Sequence, residues 1–154
     1  MPIEVGSQAP QFSLKDQNGQ QVSLSSLRAN RNVLVIFYPF AFSGICTGEL
    51  CQLRDDIGAF VNDDVTTVAI STDPVFALKA WAEQERFTFP LLSDFWPHGA
   101  VAKAYGVFNE MAGMPNRGTF LVDTGGTVRF AEMNQPGQAR NQTAWKEALA
   151  ALPS

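Results

Sequence analysis

Cys46 closes the run Pro39-Phe40-Ala41-Phe42-Ser43-Gly44-Ile45-Cys46, which lies between an apolar stretch and an amphipathic one. The apolar stretch, Val33-Leu34-Val35-Ile36-Phe37-Tyr38, has the β-branched and aromatic content of a strand buried on both faces. The stretch from Thr47 to Phe60 has helical spacing, so Cys46 falls in a first helical turn. Unpaired amides and the positive end of a helix dipole meet there and favour thiolate over thiol. A cysteine in that place is a candidate nucleophile. Cysteine is ordinarily a small buried hydrophobe, but three neighbours distinguish this one. Gly44 permits close backbone approach, Ser43 brings a hydroxyl three residues before the sulfur, and Pro39 fixes the exit from the strand.

Other reactive combinations are poorly supplied. His98, the single histidine, sits beside Trp96-Pro97 at a predicted helix start, and nothing in the sequence pairs it with Cys46 as a cysteine protease requires. Two cysteines and one histidine fall short of a structural zinc site.

The elements that must position Cys46 follow from periodicity and turn residues. Phe12 to Leu24 alternates around Asn18-Gly19, predicting a type I′ hairpin, and Ser25–Arg28 forms a short helical turn. Strand 33–38 is followed by a helix over 45–60 and a second apolar strand over 65–70. Asp73-Pro74 predicts a helix start with Asp73 as N-cap, running to Gln84 and burying Phe76, Ala77, Ala80 and Trp81. A helix over 98–105 stops at Gly106. Strands 119–122 and 128–131 flank Asp123-Thr124-Gly125-Gly126, and a last helix covers 143–152. This order predicts an α/β fold, a mixed thioredoxin-like sheet with helices on both faces and an added N-terminal β-hairpin.

The chain has 154 residues, which predicts one domain over 1–154. A net charge of −4 with no basic cluster argues against a nucleic-acid partner. No apolar stretch approaches the length of a membrane span, and Met1-Pro2-Ile3-Glu4 lacks the character of a signal peptide. The expectation is a cytoplasmic protein whose two cysteines serve catalysis or redox sensing rather than a structural disulfide.

Pro39-x-x-x-Ser43-x-x-Cys46 resembles the Pro-x-x-x-Thr/Ser-x-x-Cys motif of peroxiredoxins, and Asn116-Arg117-Gly118-Thr119-Phe120 resembles their second element, an arginine just before a strand. Within that family the likeness is to the AhpE type (alkyl hydroperoxide reductase E), usually one-cysteine. It extends through Phe40–Leu50, Phe89-Pro90-Leu91-Leu92-Ser93-Asp94-Phe95, Ala104-Tyr105-Gly106-Val107-Phe108 and Phe130-Ala131-Glu132-Met133. The resemblance implies a thioredoxin-like fold and reduction of hydrogen peroxide and organic hydroperoxides without metal or bound cofactor. It further implies a thiol reductant (thioredoxin, or mycoredoxin with mycothiol) and a homodimer. By position it makes Cys46 the peroxidatic cysteine that becomes a sulfenic acid, Arg117 the guanidinium stabilising thiolate and substrate, Ser43 the orienting hydroxyl and Pro39 the shield of the pocket. The chemistry asks for such help, because an ordinary thiol with pKa about 8.5 is only a few per cent ionised at neutral pH.

Two departures stand out. Ser43 occupies a place where many members carry threonine, and it lacks the methyl that restricts χ1. Cys51 creates a Cys-x4-Cys spacing found in the Q-type, or bacterioferritin-comigratory, peroxiredoxins, whose second cysteine resolves the sulfenic acid. Five residues of intact helix separate Cα atoms by roughly 8–9 Å, beyond the ~7 Å that a disulfide spans. Closure would require unwinding, which Gly48 eases; otherwise Cys51 is inert. Glu49 either orients Arg117 or simply suits the helix dipole. Phe40, Phe42, Met111 and Met114 form either an apolar collar for organic hydroperoxides or parts of a core or interface. The competing activity, a thiol-disulfide oxidoreductase or peroxide-sensing relay on the same fold, is disfavoured by the absence of Cys-x-x-Cys.

Overall fold

The computed structural model describes residues 2–134, 140 and 142–152. In chain order its elements are β1 (Ser13–Lys15), β2 (Gln21–Ser23), α1 (Leu24–Leu27), β3 (Asn32–Phe37), α2 (Gly44–Asp55), α3 (Ile57–Phe60), β4 (Val65–Ser71) and α4 (Val75–Glu85). There follow β5 (Leu91–Ser93), α5 (Ala100–Ala104), β6 (Phe108–Asn109), β7 (Met114–Pro115), β8 (Arg117–Val122), β9 (Val128–Asn134) and α6 (Gln142–Ala150).

Seven strands form one mixed sheet in the order β2-β1-β5-β4-β3-β8-β9, and β6 pairs with β7 separately. β3 is central, parallel to β4 and antiparallel to β8, with Ile36 opposite Ala69 on one side and Thr119 on the other. Its side chains divide between two cores. Leu34, Ile36 and Tyr38 join Leu50 and Leu53 of α2, Phe60, Trp81 and Trp145 on one face. Val33, Val35 and Phe37 join Phe12, Leu24, Ala102, Tyr105 and Phe120 on the other. Alternation along a strand produces this split, and each large side chain buried this way contributes about 1.5–3 kcal/mol. The double burial holds the exit of β3, where the candidate nucleophile begins, against movement toward either face.

Three local expectations are corrected. The first hairpin does not turn through type I′, because Gly19 takes positive φ (76°) while Asn18 does not. The carboxylate of Asp16 instead accepts the amides of Asn18 (2.8 Å) and Gln20 (3.0 Å), an aspartate-anchored turn with glycine at its left-handed position. The helix predicted over 45–60 breaks at Asp56 (φ −117°, ψ 31°), where Asp56 and Gly58 both disfavour a helix interior. In α4 the buried face runs through Leu78, Trp81 and Ala82, while Phe76 is 86% exposed. Phe76 precedes Leu78 by two residues, roughly 200° around the helix, so both cannot face the core.

Candidate active site

The site grows from the end of β3. Tyr38 still donates its amide to Ile70 of the neighbouring strand (3.0 Å), and Pro39 is buried directly after it. Phe42 then adopts φ 69°, a left-handed conformation rare for a side chain of that size. This turn throws the chain from the sheet into α2, with Ser43 as N-cap (φ −72°, ψ 147°). The Ser43 carbonyl accepts the amide of Thr47 (2.9 Å), so the preceding amides of the first turn, including that of Cys46, precede the helical ladder. Ser43 makes no side-chain cap bond, and its buried Oγ has no hydrogen-bond partner among the described residues. A buried, unsatisfied hydroxyl is costly unless something else occupies the site. The backbone of Cys46 lies in this first turn; its side chain lies outside the described residues.

One turn further along α2, Glu49 is buried at 8% exposure. Its Oε1 accepts from NH1 of Arg117 and from Nε of Arg140 (3.3 Å), and its Oε2 accepts the Arg140 backbone amide (2.6 Å). Gln142 donates to the Glu49 carbonyl (3.1 Å). Arg117, at the start of β8, is 2% exposed. Arg140 also donates from NH1 to the Gly118 carbonyl (2.9 Å) and Thr119 Oγ1 (3.3 Å), and from NH2 to the Phe37 carbonyl. Among the described residues, two guanidiniums thus converge on one carboxylate at the junction of β3, β8 and α2. Such a buried cluster is a poor device for stability alone. It carries more positive than negative charge and lies beside a helix N-terminus, conditions that favour an anion.

Of the two readings of Glu49, the geometry favours the orienting one: its carboxylate holds Arg117. Arg140 was not anticipated. It precedes the last helix in a stretch whose sequence carries no motif, and only its tertiary contacts with β8 and α2 reveal it beside Glu49.

Cys51 is half-buried on the same helix, away from these groups. Its Sγ donates to Glu85 Oε2 (3.4 Å) at the end of α4, and NH1 of Arg54 donates to the Glu85 carbonyl (2.7 Å). Burial, then the hydrogen bond to Glu85, pushes the Cys51 thiol up from its ordinary value. His98 bonds the Gly113 carbonyl (2.7 Å) and packs against Phe108, and among the described residues it shares no partner with the Glu49 cluster. Phe40 and Phe42 stand half-exposed on the loop before Ser43, whereas Met111 is fully exposed and Met114 lies in β7. Among the described residues, no three His, Cys, Asp or Glu side chains gather to hold a metal, and no helix is long and apolar enough to cross a membrane.

Residues 5–131 match the model of the AhpC/TSA family. Alkyl hydroperoxide reductase E of Mycobacterium tuberculosis is 60% identical over 97% of this chain and 98% of its own length. Peroxiredoxin Bcp of Escherichia coli is 38% identical over 82% of this chain and 83% of its own. The crystal structure of peroxidoxin BcpB from M. tuberculosis superimposes with a TM-score of 0.86 at 35% identity, covering 99% of each chain. The chain belongs to the AhpC/TSA family, the peroxiredoxins, and has their thioredoxin-like fold. It is a thiol peroxidase, an oxidoreductase that reduces peroxide.

Proposed function

We propose that the whole chain, residues 1–154, is one peroxiredoxin domain in which Cys46 is the peroxidatic nucleophile. The observation that carries this reading is the buried pair Arg117 and Arg140 on Glu49, one helical turn from Cys46. As a thiolate, Cys46 attacks the terminal oxygen of a hydroperoxide ROOH. An S–O bond forms, the O–O bond breaks, and the departing alkoxide takes a proton to leave as ROH. Cys46 is oxidised to a sulfenic acid and the peroxide is reduced. Arg117 stabilises thiolate and developing oxyanion by its permanent charge, held by Glu49. The free Oγ of Ser43 is available to donate to the same oxygens, and Pro39 walls the loop.

The substrates are hydrogen peroxide and organic hydroperoxides, and the half-exposed Phe40 and Phe42 suit an organic group. No cofactor takes part. The sulfenic acid is recycled by an external thiol, thioredoxin or mycoredoxin with mycothiol, in a cytoplasmic homodimer. The intact α2 supports external recycling, since Cys51 lies about 7.5 Å further along the axis and is engaged by Glu85. The second reading, a Cys46–Cys51 disulfide with loss of water, is favoured by Gly48 between them, which faces open space and weakens the helix.

Single-turnover mixing with peroxide, followed by mass spectrometry, tests both. Wild type gains one oxygen on the Cys46 peptide and Cys46→Ser does not react. Oxidation of Cys46→Ser at the wild-type rate refutes the assignment. A two-hydrogen loss linking the Cys46 and Cys51 peptides selects the second reading over the first.

A further inference from the structure

Asp73 has the position of a helix N-cap in the sequence, but the structure uses its carboxylate elsewhere. The cap of α4 is Pro74 (φ −72°, ψ 157°), without any side-chain cap bond. Oδ2 of Asp73 instead accepts the backbone amide of Ala41 at 2.7 Å, across to the loop between β3 and α2. The Ser71 hydroxyl donates to the same oxygen at 2.7 Å, and the Asp73 amide donates back to Ser71 Oγ at 3.3 Å. The Asp73 carbonyl accepts from Ser93 Oγ at 2.6 Å. Asp73 is thus held by its carboxylate from β4 and by its carbonyl from β5, and the oxygen that Ser71 holds also holds one amide of the loop between β3 and α2.

That amide is well placed to matter. Ala41 is 8% exposed, so its N–H has little access to water in place of the carboxylate. The next residue, Phe42, holds φ 69° with its ring 6.1 Å from that of Trp81. The residue after that is Ser43, whose buried Oγ has no hydrogen-bond partner among the described residues. An unfavourable backbone conformation persists only where its surroundings over-determine it. Here the fixed points are the buried Pro39 and Ala41, the Asp73 bond and the Phe42–Trp81 contact.

We propose that Asp73 is a positioning residue for peroxide reduction, acting through the Ala41 amide to fix Phe42 in its left-handed turn and thereby place the Ser43 hydroxyl and the first-turn amides of α2. The inference rests on the reading of Cys46 and Ser43 as the reacting site. It assigns the Ser71-Thr72-Asp73 segment to the catalytic apparatus although Asp73 touches no substrate.

The test uses the full chain in a Cys51→Ser background, so that Cys46 is the one thiol observed. Stopped-flow tryptophan fluorescence gives the rate of oxidation by hydrogen peroxide, and iodoacetamide alkylation of Cys46 gives its general nucleophilicity. Asp73→Ala lowers the peroxide rate by about 10- to 100-fold, the scale of a misplacement near 1 Å. Alkylation, which needs no alignment of an O–O bond, changes by less than about threefold on the same argument. Asp73→Asn keeps an acceptor oxygen for Ala41 and recovers the peroxide rate to within about threefold. Ser71→Ala, which releases the hydroxyl holding the same oxygen, lowers the peroxide rate in the same sense and serves where Asp73→Ala does not fold.

A wild-type peroxide rate in either variant that folds overturns the proposal. So does an equal fall in both reactions, which marks general disruption, or a failure of Asp73→Asn to recover the rate. Cys46→Ser in the same assay separates the two layers. If it is inert while Asp73→Ala is unimpaired, the role of Asp73 alone is wrong; if it still consumes peroxide, the site itself is misassigned.

Discussion

The two halves of α2 carry the same kinds of side chain, a cysteine with a carboxylate and arginine nearby, under opposite conditions. At the N-terminal half, Glu49 is shared by Arg117 and Arg140, all three buried, with a helix N-terminus alongside. At the C-terminal half, Cys51 bonds Glu85 directly, and Arg54 and Glu85 are both partly exposed. The first arrangement has cations in excess and little exposure to solvent, so it favours an anion. The second places a carboxylate against the thiol and favours the proton. On the proposed reading, what separates Cys46 from Cys51 is not residue type but the balance and burial of the surrounding charges and the end of the helix.

The largest expected effect lies at the N-terminal cluster. Arg117→Ala lowers the rate constant for peroxide by about 10²–10³-fold, the loss typical of removing one preorganised donor from a developing oxyanion. Arg117→Lys, a point charge without the planar fork, recovers only part of it. Stopped-flow oxidation measures both, and a wild-type rate in Arg117→Ala would remove the basis for contrasting the two halves.

The next effect is on stability. Glu49→Ala leaves two buried guanidiniums without their shared carboxylate and costs about 3–5 kcal/mol, read from the urea midpoint. Glu85→Ala, breaking the half-exposed pair, costs about 0–1 kcal/mol. Equal losses would show that burial does not distinguish the two clusters.

The smallest effect concerns Cys51 and pH. Its folded pKa is raised, so the folded state favours the thiol. The resulting stability is fully present below the unfolded pKa of about 8.5 and is lost as pH rises through the higher folded value. Alkylation of Cys51 at pH 8 is accordingly slower than that of the unfolded chain. Glu85→Gln, removing a negative charge and a strong acceptor, speeds it by a few-fold. No acceleration would mean that burial alone holds the proton.

Much of this was legible beforehand. β3 announced itself as an unbroken apolar run because both faces are buried, β4 as a second, largely apolar stretch, and β8 as one strand flanking the turn Asp123-Thr124-Gly125-Gly126. Arg117 was pointed to by the resemblance of Asn116-Arg117-Gly118-Thr119-Phe120 to a family element, and Ser43 and Pro39 stood out by their spacing from Cys46. What escaped depends on contacts between distant segments. Arg140 is 91 residues from Glu49. Phe76 was placed in the core by its hydrophobicity, though the register of α4 gives that face to Leu78 and Trp81. Asp73 was read as a cap by local rules, and the nearby Ala41 amide, 32 residues away in sequence, took its carboxylate instead.

The sequence by itself determined the strand, the loop and the helix that deliver Cys46 to a first helical turn, because apolar periodicity and turn residues act over a few neighbours. Only the tertiary structure decided which charges meet there. Burial removes water as a competing partner, so each amide, carboxylate and guanidinium must bond whichever group the packed sheet brings within reach.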